Sequence, residues 1–422
     1  MAARGKCLFF VPAGEIMKIV KSKGADFTPL AGARGLLLAE LAALLVSTSA
    51  AVGVEFLLYL LFAFSAPLRG RLRQSVRQPM VMMILVWGAV LIGAAFYSVA
   101  PGAEIIANLS SWRKLLLLPM AAAVFDSDPW KRRLVWVLLL TVTLGAGLSY
   151  FSWFSGTAIH KFPMGITIHN HATQGMMFAV SLFAIVLLAR YCRPVTKVGF
   201  YFLPVAGLLI LANLIFITPG RSGYLVLLVL AAIAAFFMVP GRTRYLLGLG
   251  LPLGMALLLF FSPVANQRIM KGVNEIRDYE HSADLTSMGI RMVMWQNTIK
   301  LVRARPWFGY GTGGFSEAYR GEVAGQTGWQ GQPVDDCHNQ FLRIVAEQGL
   351  LGLAVFLAFI AACFRQRVGG VFRVMGLGVL LAWGATSMFS AHFSTFTEGR
   401  FLYLWCGALL AGGVKDKKSV AP

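Results

Sequence analysis

The sequence predicts an all-α polytopic membrane protein with about twelve transmembrane helices and one large helical loop outside the bilayer. Three observations lead there. Of 422 residues, 57% are hydrophobic and only 13% charged, roughly half the ~25% charged share of soluble chains. Apolar runs such as MVMMILVWGAVLIGAAF (80–96) and LVLLVLAAIAAFFMV (225–239) recur through most of the length. A run of about 18 or more apolar residues crosses a bilayer as a helix, because lipid offers exposed backbone groups no partner. The basic residues, finally, fall on alternate loops. A formal charge of +20 would suggest nucleic acid in a soluble domain. Here the crowding of Lys and Arg in cytoplasmic loops accounts for it, and no nucleic-acid partner is expected.

Taken in order, residues 1–28 form a basic N-terminal segment whose short CLFFVPAG is no adequate core for a cleaved signal peptide. Spans are expected near 33–50, 52–68, 79–99, 112–125, 134–154, 171–189, 198–217, 222–239, 245–262, 349–364, 374–391 and 400–413. The loops with Arg69 to Arg77, Lys131 to Arg133, Arg190 to Lys197, Arg242 and Arg244, and Arg365 to Arg373 then share one side with both termini, which the positive-inside rule makes cytoplasmic. The division is 1–28 cytoplasmic segment, 29–262 helices one to nine, 263–348 outer loop domain, 349–413 helices ten to twelve, and 414–422 cytoplasmic tail. The loop domain holds nine Lys/Arg and nine Asp/Glu, so it is no general basic patch. In it, GIRMVMWQNTIKLV (289–302) reads as a helix stopped by Pro306. FGYGTGGF (308–315) follows as a turn that lets backbone approach something closely, and a further helix starts near Asp335 or Asp336. Cys7, Cys192, Cys337, Cys363 and Cys406 have no metal-ligand spacing, and no ligand cluster is visible, so a metal-independent protein is expected.

External cations are the exceptions to the charge rule. Arg221 in ITPGRSGYL, and Arg113 with Lys114 in SSWRKLLLLP, are read at the outer starts of inward-running spans. A helix start carries about half a positive charge and free N–H groups, and a guanidinium suits phosphate oxygens. Arg291 adds a cation from the loop helix, and Arg268 another. For each residue alone, snorkelling at the interface is the competing reading. Arg400, beside Glu398, reads as an interfacial anchor. His338 is read in the first turn of the last loop helix, either as a general base at the membrane surface or as a structural histidine. IHNHATQGMMF (168–178), with His169 and His171, is either a second polar wall of a cleft or a hydrogen-bonded helix cap; His160, His281 and His392 lie near the same face. Asp126-Ser127-Asp128 resembles a metal-binding pair but falls in a cytoplasmic loop beside Lys131.

The ordered set ITPGRSGYLVLL (217–228), SMGIRMVMWQNTIKLVRARPWFGYGTGGF (287–315) and HNQFLRIVAEQGLLGL (338–353) resembles the O-antigen ligase family. The resemblance implies a bacterial inner-membrane glycosyltransferase of GT-C-like architecture with its active site facing the periplasm. It implies functional roles for an arginine after a small-residue turn, an arginine on the loop helix and a histidine opening the last loop helix, which here are Arg221, Arg291 and His338. The donor would be an undecaprenyl-diphosphate-linked glycan and the acceptor a sugar hydroxyl of lipid A–core, with His338 taking the acceptor proton. Arg221 and Arg291, with Arg113, Lys114 and Arg268, would hold the diphosphate, and a single displacement would invert the anomeric centre. The superfamily also holds O-antigen polymerases and protein O-oligosaccharyltransferases; the latter carry extra sequence after the last span, which favours the ligase reading. A lipid-linked sugar transporter is the rival class.

Overall fold

The computed structural model describes residues 28–159, 162–192, 197–218, 220–241, 287–326 and 331–412, with scattered positions between 243 and 254. Every regular element among them is helical. The chain opens with α1 (Pro29–Val46) and α2 (Thr48–Phe64), a hairpin turned on Ser47, whose hydroxyl accepts from the Ala50 amide to cap α2. At Ser65 the path bends by 97° into α3 (Ala66–Ser75), whose sequence APLRGRLRQS cannot enter hydrocarbon. Next come α4 (Pro79–Ala95), α5 (Gly102–Trp112), a 3-10 turn (Arg113–Leu116), α6 (Leu117–Val124) and α7 (Asp128–Ser155). They are followed by α8 (His171–Tyr191), α9 (Lys197–Phe216) and α10 (Arg221–Met238). The loop domain supplies α11 (Ser287–Ala304) and α12 (Phe315–Glu322), and the chain closes with α13 (Gln340–Phe364), α14 (Gly370–Thr386) and α15 (Phe396–Leu409).

By length and apolarity six of these helices can cross a membrane, seven if the bent α2–α3 pair is one span; α4 and α14 are apolar but have 17 residues each. The expected span 245–262 lies largely outside the described residues. The expected fourth span does not start where the sequence suggested. Arg113 and Lys114 sit in a 3-10 turn in the middle of a helical run, so they open no helix and face no free helix start. The short α6 behind that turn is buried along its whole length and forms the centre of the bundle.

The bundle has two distinct ends. At the basic end Asp126 accepts from Arg34 (2.7 Å) and Arg71 (2.9 Å), and Lys131 donates to the carbonyls of Leu409 (3.3 Å) and Ala411 (2.7 Å). The Asp126-Ser127-Asp128 loop is thus an ionic anchor for α1 and α3. At the opposite end lie the starts of α8, α10, α13 and α15, the ends of α4 and α14, and the loop domain. α8 and α10 cross there in backbone contact: a Cβ on Gly223 would stand 2.8 Å from the Gly175 Cα. Small residues at a crossing are how apolar helices gain packing energy without a hydrophobic drive.

The loop domain is joined to the bundle through a break in α13. Gly349 (φ 69°, ψ −175°) interrupts the helix and frees four backbone groups. The glycine loop 306–311 takes all four: Tyr310 N–H donates to Ala346 O (2.9 Å) and Gly311 N–H to Glu347 O (2.7 Å). In return Leu350 and Leu351 N–H donate to Pro306 O (2.8 Å) and Trp307 O (3.4 Å). Thr312 then fastens the loop to α4, its N–H donating to Ala94 O (3.2 Å) and its hydroxyl to Leu91 O (2.7 Å). What GYGTGGF approaches so closely is therefore the protein's own broken helix. Glycine at 349 is required twice, by its left-handed φ and because a Cβ would overlap the Trp307 carbonyl. Gly349→Ala should cost about 1–2 kcal/mol for the backbone and about 1–3 kcal/mol more for the overlap. Gly156→Ala, with φ 66° but open space around it, should cost only the first part. Thermal unfolding of the two variants in detergent checks the ranking.

Candidate active site

His338 does not lie within the first turn of α13. Asn339 is the cap, its Oδ1 accepting from the amides of Phe341 and Leu342 (3.1 Å each), so the histidine stands just before the cap, outside the helix. Its φ is +53°, a left-handed backbone that a non-glycine residue adopts only when its surroundings demand it. Asp336 helps to hold it, accepting the His338 N–H at Oδ1 (3.0 Å). The Asp336 Oδ2 lies 3.9 Å from Nδ1 of the ring, and the Arg343 guanidinium, bonded to Glu347, is 4.0 Å from Oδ1. The imidazole side chain is 45% exposed, so it is open to a ligand. Its neighbour Cys337 is buried, which pushes the thiol up to about 12 and removes it as a nucleophile.

α11, which carries Arg291, packs against the same turn. One helical turn after this half-buried arginine, Trp295 donates its indole N–H to Cys337 O (2.9 Å) and packs its ring against Phe389 (6.2 Å between centroids). Residues four apart share a helix face, so Arg291 is presented along the side of α11 that covers the His338 turn. Arg221 is reached from the other direction. It opens α10, is exposed, and follows Gly220, which gives that helix start no side-chain cap. A buried knot fixes the turn before it. Gln174 donates to Thr218 Oγ1 (2.8 Å) and Gly165 O (2.9 Å), and Thr218 donates to Asn213 (2.8 Å). Gly220 abuts the His171 carbonyl at the start of α8, and Thr173, in the first turn of that helix, donates to Glu398 of α15. The carbonyl of Glu398 in turn accepts from Trp383 of α14 (3.1 Å), and the end of α14 accepts from the start of α13 at Gln340. Arg221, Arg291 and His338 thus lie at one end of the bundle, within one connected set of contacts. Arg268, His160 and His281 lie outside the described residues.

The IHNHATQGMMF segment resolves as a cap. Asn170 Oδ1 accepts from the Thr173 amide (2.9 Å), and His169 places Nε2 2.7 Å from the Leu44 carbonyl.

Two cations expected at the surface are taken by the protein itself. Lys114 is 1% exposed, and its ammonium donates to the carbonyls of Ser394 and Thr395. It is a clamp on the loop between α14 and α15, not a surface cation for a ligand. Arg400 is no interfacial anchor: it is 2% exposed and donates from Nε (3.1 Å) and Nη2 (3.0 Å) to Glu55 Oε2. Glu55 also accepts from Tyr59 and stands 3.6 Å from Arg113, which is 33% exposed and bonded to Ser110. Glu40 is buried nearby with no partner for either carboxylate oxygen. Glu40 and Glu55 were not anticipated from sequence, although an acidic residue inside an apolar run is itself the signal that would have found them.

The loop 387–395 lies against the His338 turn and carries His392, 3% exposed. Burial holds its imidazole below the ordinary range, opposed by Glu398 and Asp336. Among the described residues no three His, Cys, Asp or Glu side chains converge so as to hold a metal ion.

Removing one member of the Glu55–Arg400 pair strands a charge among apolar helices, a change worth about 3–5 kcal/mol. Arg400→Leu should therefore lower the unfolding temperature in detergent steeply, and adding Glu55→Leu should recover part of the loss rather than double it.

Residues 206–357 match the family model described as O-antigen ligase, a stretch that contains Arg221, Arg291 and His338. No curated protein matches the chain.

Proposed function

We propose, from the match of residues 206–357 to the O-antigen ligase family model, that the chain is a membrane glycosyltransferase that transfers an undecaprenyl-diphosphate-linked O-antigen glycan onto a sugar hydroxyl of lipid A–core. The observation that supports this reading is that an exposed imidazole and two arginines from separate helices belong to elements gathered at one end of the bundle, opposite the basic anchor. In this reading that end faces the periplasm of a bacterial inner membrane. The chain crosses about twelve times in a GT-C-like arrangement, and residues 263–348 form the loop domain that covers the site. Both lipid substrates keep their tails in the bilayer, which is why the reacting groups stand at its surface.

His338 takes the proton of the acceptor hydroxyl as its oxygen attacks the anomeric carbon of the donor. The bond from that carbon to the diphosphate breaks, and its electron pair leaves on the phosphate oxygen. Arg221, at a helix start whose own N–H groups favour anions, and Arg291 stabilise that charge. Asp336 steadies the protonated ring; its 3.9 Å separation from Nδ1 is longer than a hydrogen bond and of the kind that tightens with substrate in place. Arg113 is a secondary donor contact that must first leave Glu55, and Lys114 drops out of the set. One displacement inverts the anomeric centre, and the arginines do what a divalent ion does in many nucleotide-sugar transferases.

His338→Ala should lower transfer between purified lipid-linked donor and lipid A–core by on the order of 10²–10⁴, with donor binding retained. Full activity in that variant would remove the base from the mechanism. Arg221→Ala and Arg291→Ala should impair donor use more than acceptor affinity, and a chelator should leave the rate unchanged. Replacing lipid A–core by a second lipid-linked glycan separates ligase from polymerase: chain extension without lipid A–core would establish the latter.

A further inference from the structure

We propose that Gln340 is a positioning residue for His338, and that Lys114 acts through it. The inference rests on the reading of His338 as the base. A left-handed histidine is intrinsically unfavourable by about 1–2 kcal/mol, so something must hold the turn in place. Local bonds from Asp336 and Asn339 shape the turn but do not fix it relative to the bundle. Gln340 does. Its backbone N–H donates to both Ser387 O (2.9 Å) and Ser390 O (3.1 Å), and its side-chain Oε1 accepts the Ser394 N–H (3.1 Å). The residue is 1% exposed, and its Nε2 has no partner, so Oε1 is the side chain's point of attachment.

Lys114 grips the same loop from the opposite side. Its ammonium bonds the Ser394 carbonyl, the next polar group along the backbone from the amide that Gln340 holds, and the Thr395 carbonyl beyond it. The result is a short chain of contacts: Lys114, the 394–395 peptides, the Gln340 amide, then the His338 turn two residues upstream. Trp295, packed on Phe389 and bonded to Cys337 O, ties α11 and therefore Arg291 to the same loop. The 387–395 loop is thus the reference surface against which the proposed base and one proposed diphosphate arginine are set. An imidazole displaced by about 1 Å loses on the order of 100-fold in rate, so loosening this attachment should be felt in the chemical step.

Gln340→Met keeps the length and neutrality of the side chain and removes the acceptor. It should lower kcat about 10- to 100-fold while leaving the donor KM and donor-lipid binding at wild-type values. Lys114→Met should do the same, and the double variant should fall no further than the worse single one, because both cut one chain of contacts. Retained donor binding shows that each variant is folded. A loss confined to unfolding temperature, with kcat unchanged, would overturn the inference, as would additive effects in the double variant. The two readings fail separately. Inactive His338→Ala beside fully active Gln340→Met removes the positioning role and leaves the base, whereas active His338→Ala removes both.

Discussion

A buried backbone group must be hydrogen-bonded, so a buried helix that breaks must find partners for the groups it frees or not break at all. The interruption of α13 at Gly349 meets that demand by taking in another backbone, the 306–311 loop, which completes both halves of the broken ladder. This exchange is what makes the loop domain part of the membrane bundle. α11 ends just before the inserted loop and α12 begins just after it, while the His338 turn lies one half-helix upstream of the break. The small core of Met294, Leu301, Phe315, Tyr319, Cys337 and Ala346 then closes these pieces on one another. With each end of the segment attached to α13 or α4, the proposed base and Arg291 have little freedom relative to the bundle.

The same constraint sorts the cations. A buried charge away from water must be neutralised or solvated by protein. Lys114 and Arg400 meet the requirement internally, one through carbonyls and the other through Glu55. Arg221 stands exposed at an uncapped helix start, and Arg291 is half-buried over the proposed site. Exposure is thus what separates Arg221 from Arg400. Arg113 lies between, one third exposed and loosely held at 3.6 Å.

Much of this was legible in the residues. Apolar runs marked the helices, and the glycines of GYGTGGF marked a close backbone approach. Arg221, Arg291 and His338 stand out in the sequence, and the elements that carry them share one end of the bundle; their roles remain a proposal. What escaped sequence reasoning was pairing over distance. Arg400 and Glu55 are 345 residues apart, and nothing local says that each is the other's counter-ion. Lys114 looked like a surface cation because it follows SSW and precedes an apolar run; the carbonyls that bury it lie 280 residues away. The helix start at His338 was misplaced by a few residues, because Asp335, Asp336 and Asn339 are all competent caps and only the fold selects among them.

His169 and His338 show how little local structure says about role. Each has a left-handed backbone, with φ of 52° and 53°, and each is followed by an asparagine that caps a helix. The difference is in what each ring meets. His169 is turned inward against the Leu44 carbonyl and ties the end of α1 to the start of α8. His338 is turned outward, 45% exposed, with a carboxylate behind it and an arginine-bearing helix beside it. The same backbone thus serves one histidine as a tie between helices and leaves the other open to solvent. The backbone strain is common to both turns, so it cannot be what marks a reactive centre. What sets the proposed base apart is that its imidazole, in the same strained turn, is left open to solvent beside a carboxylate.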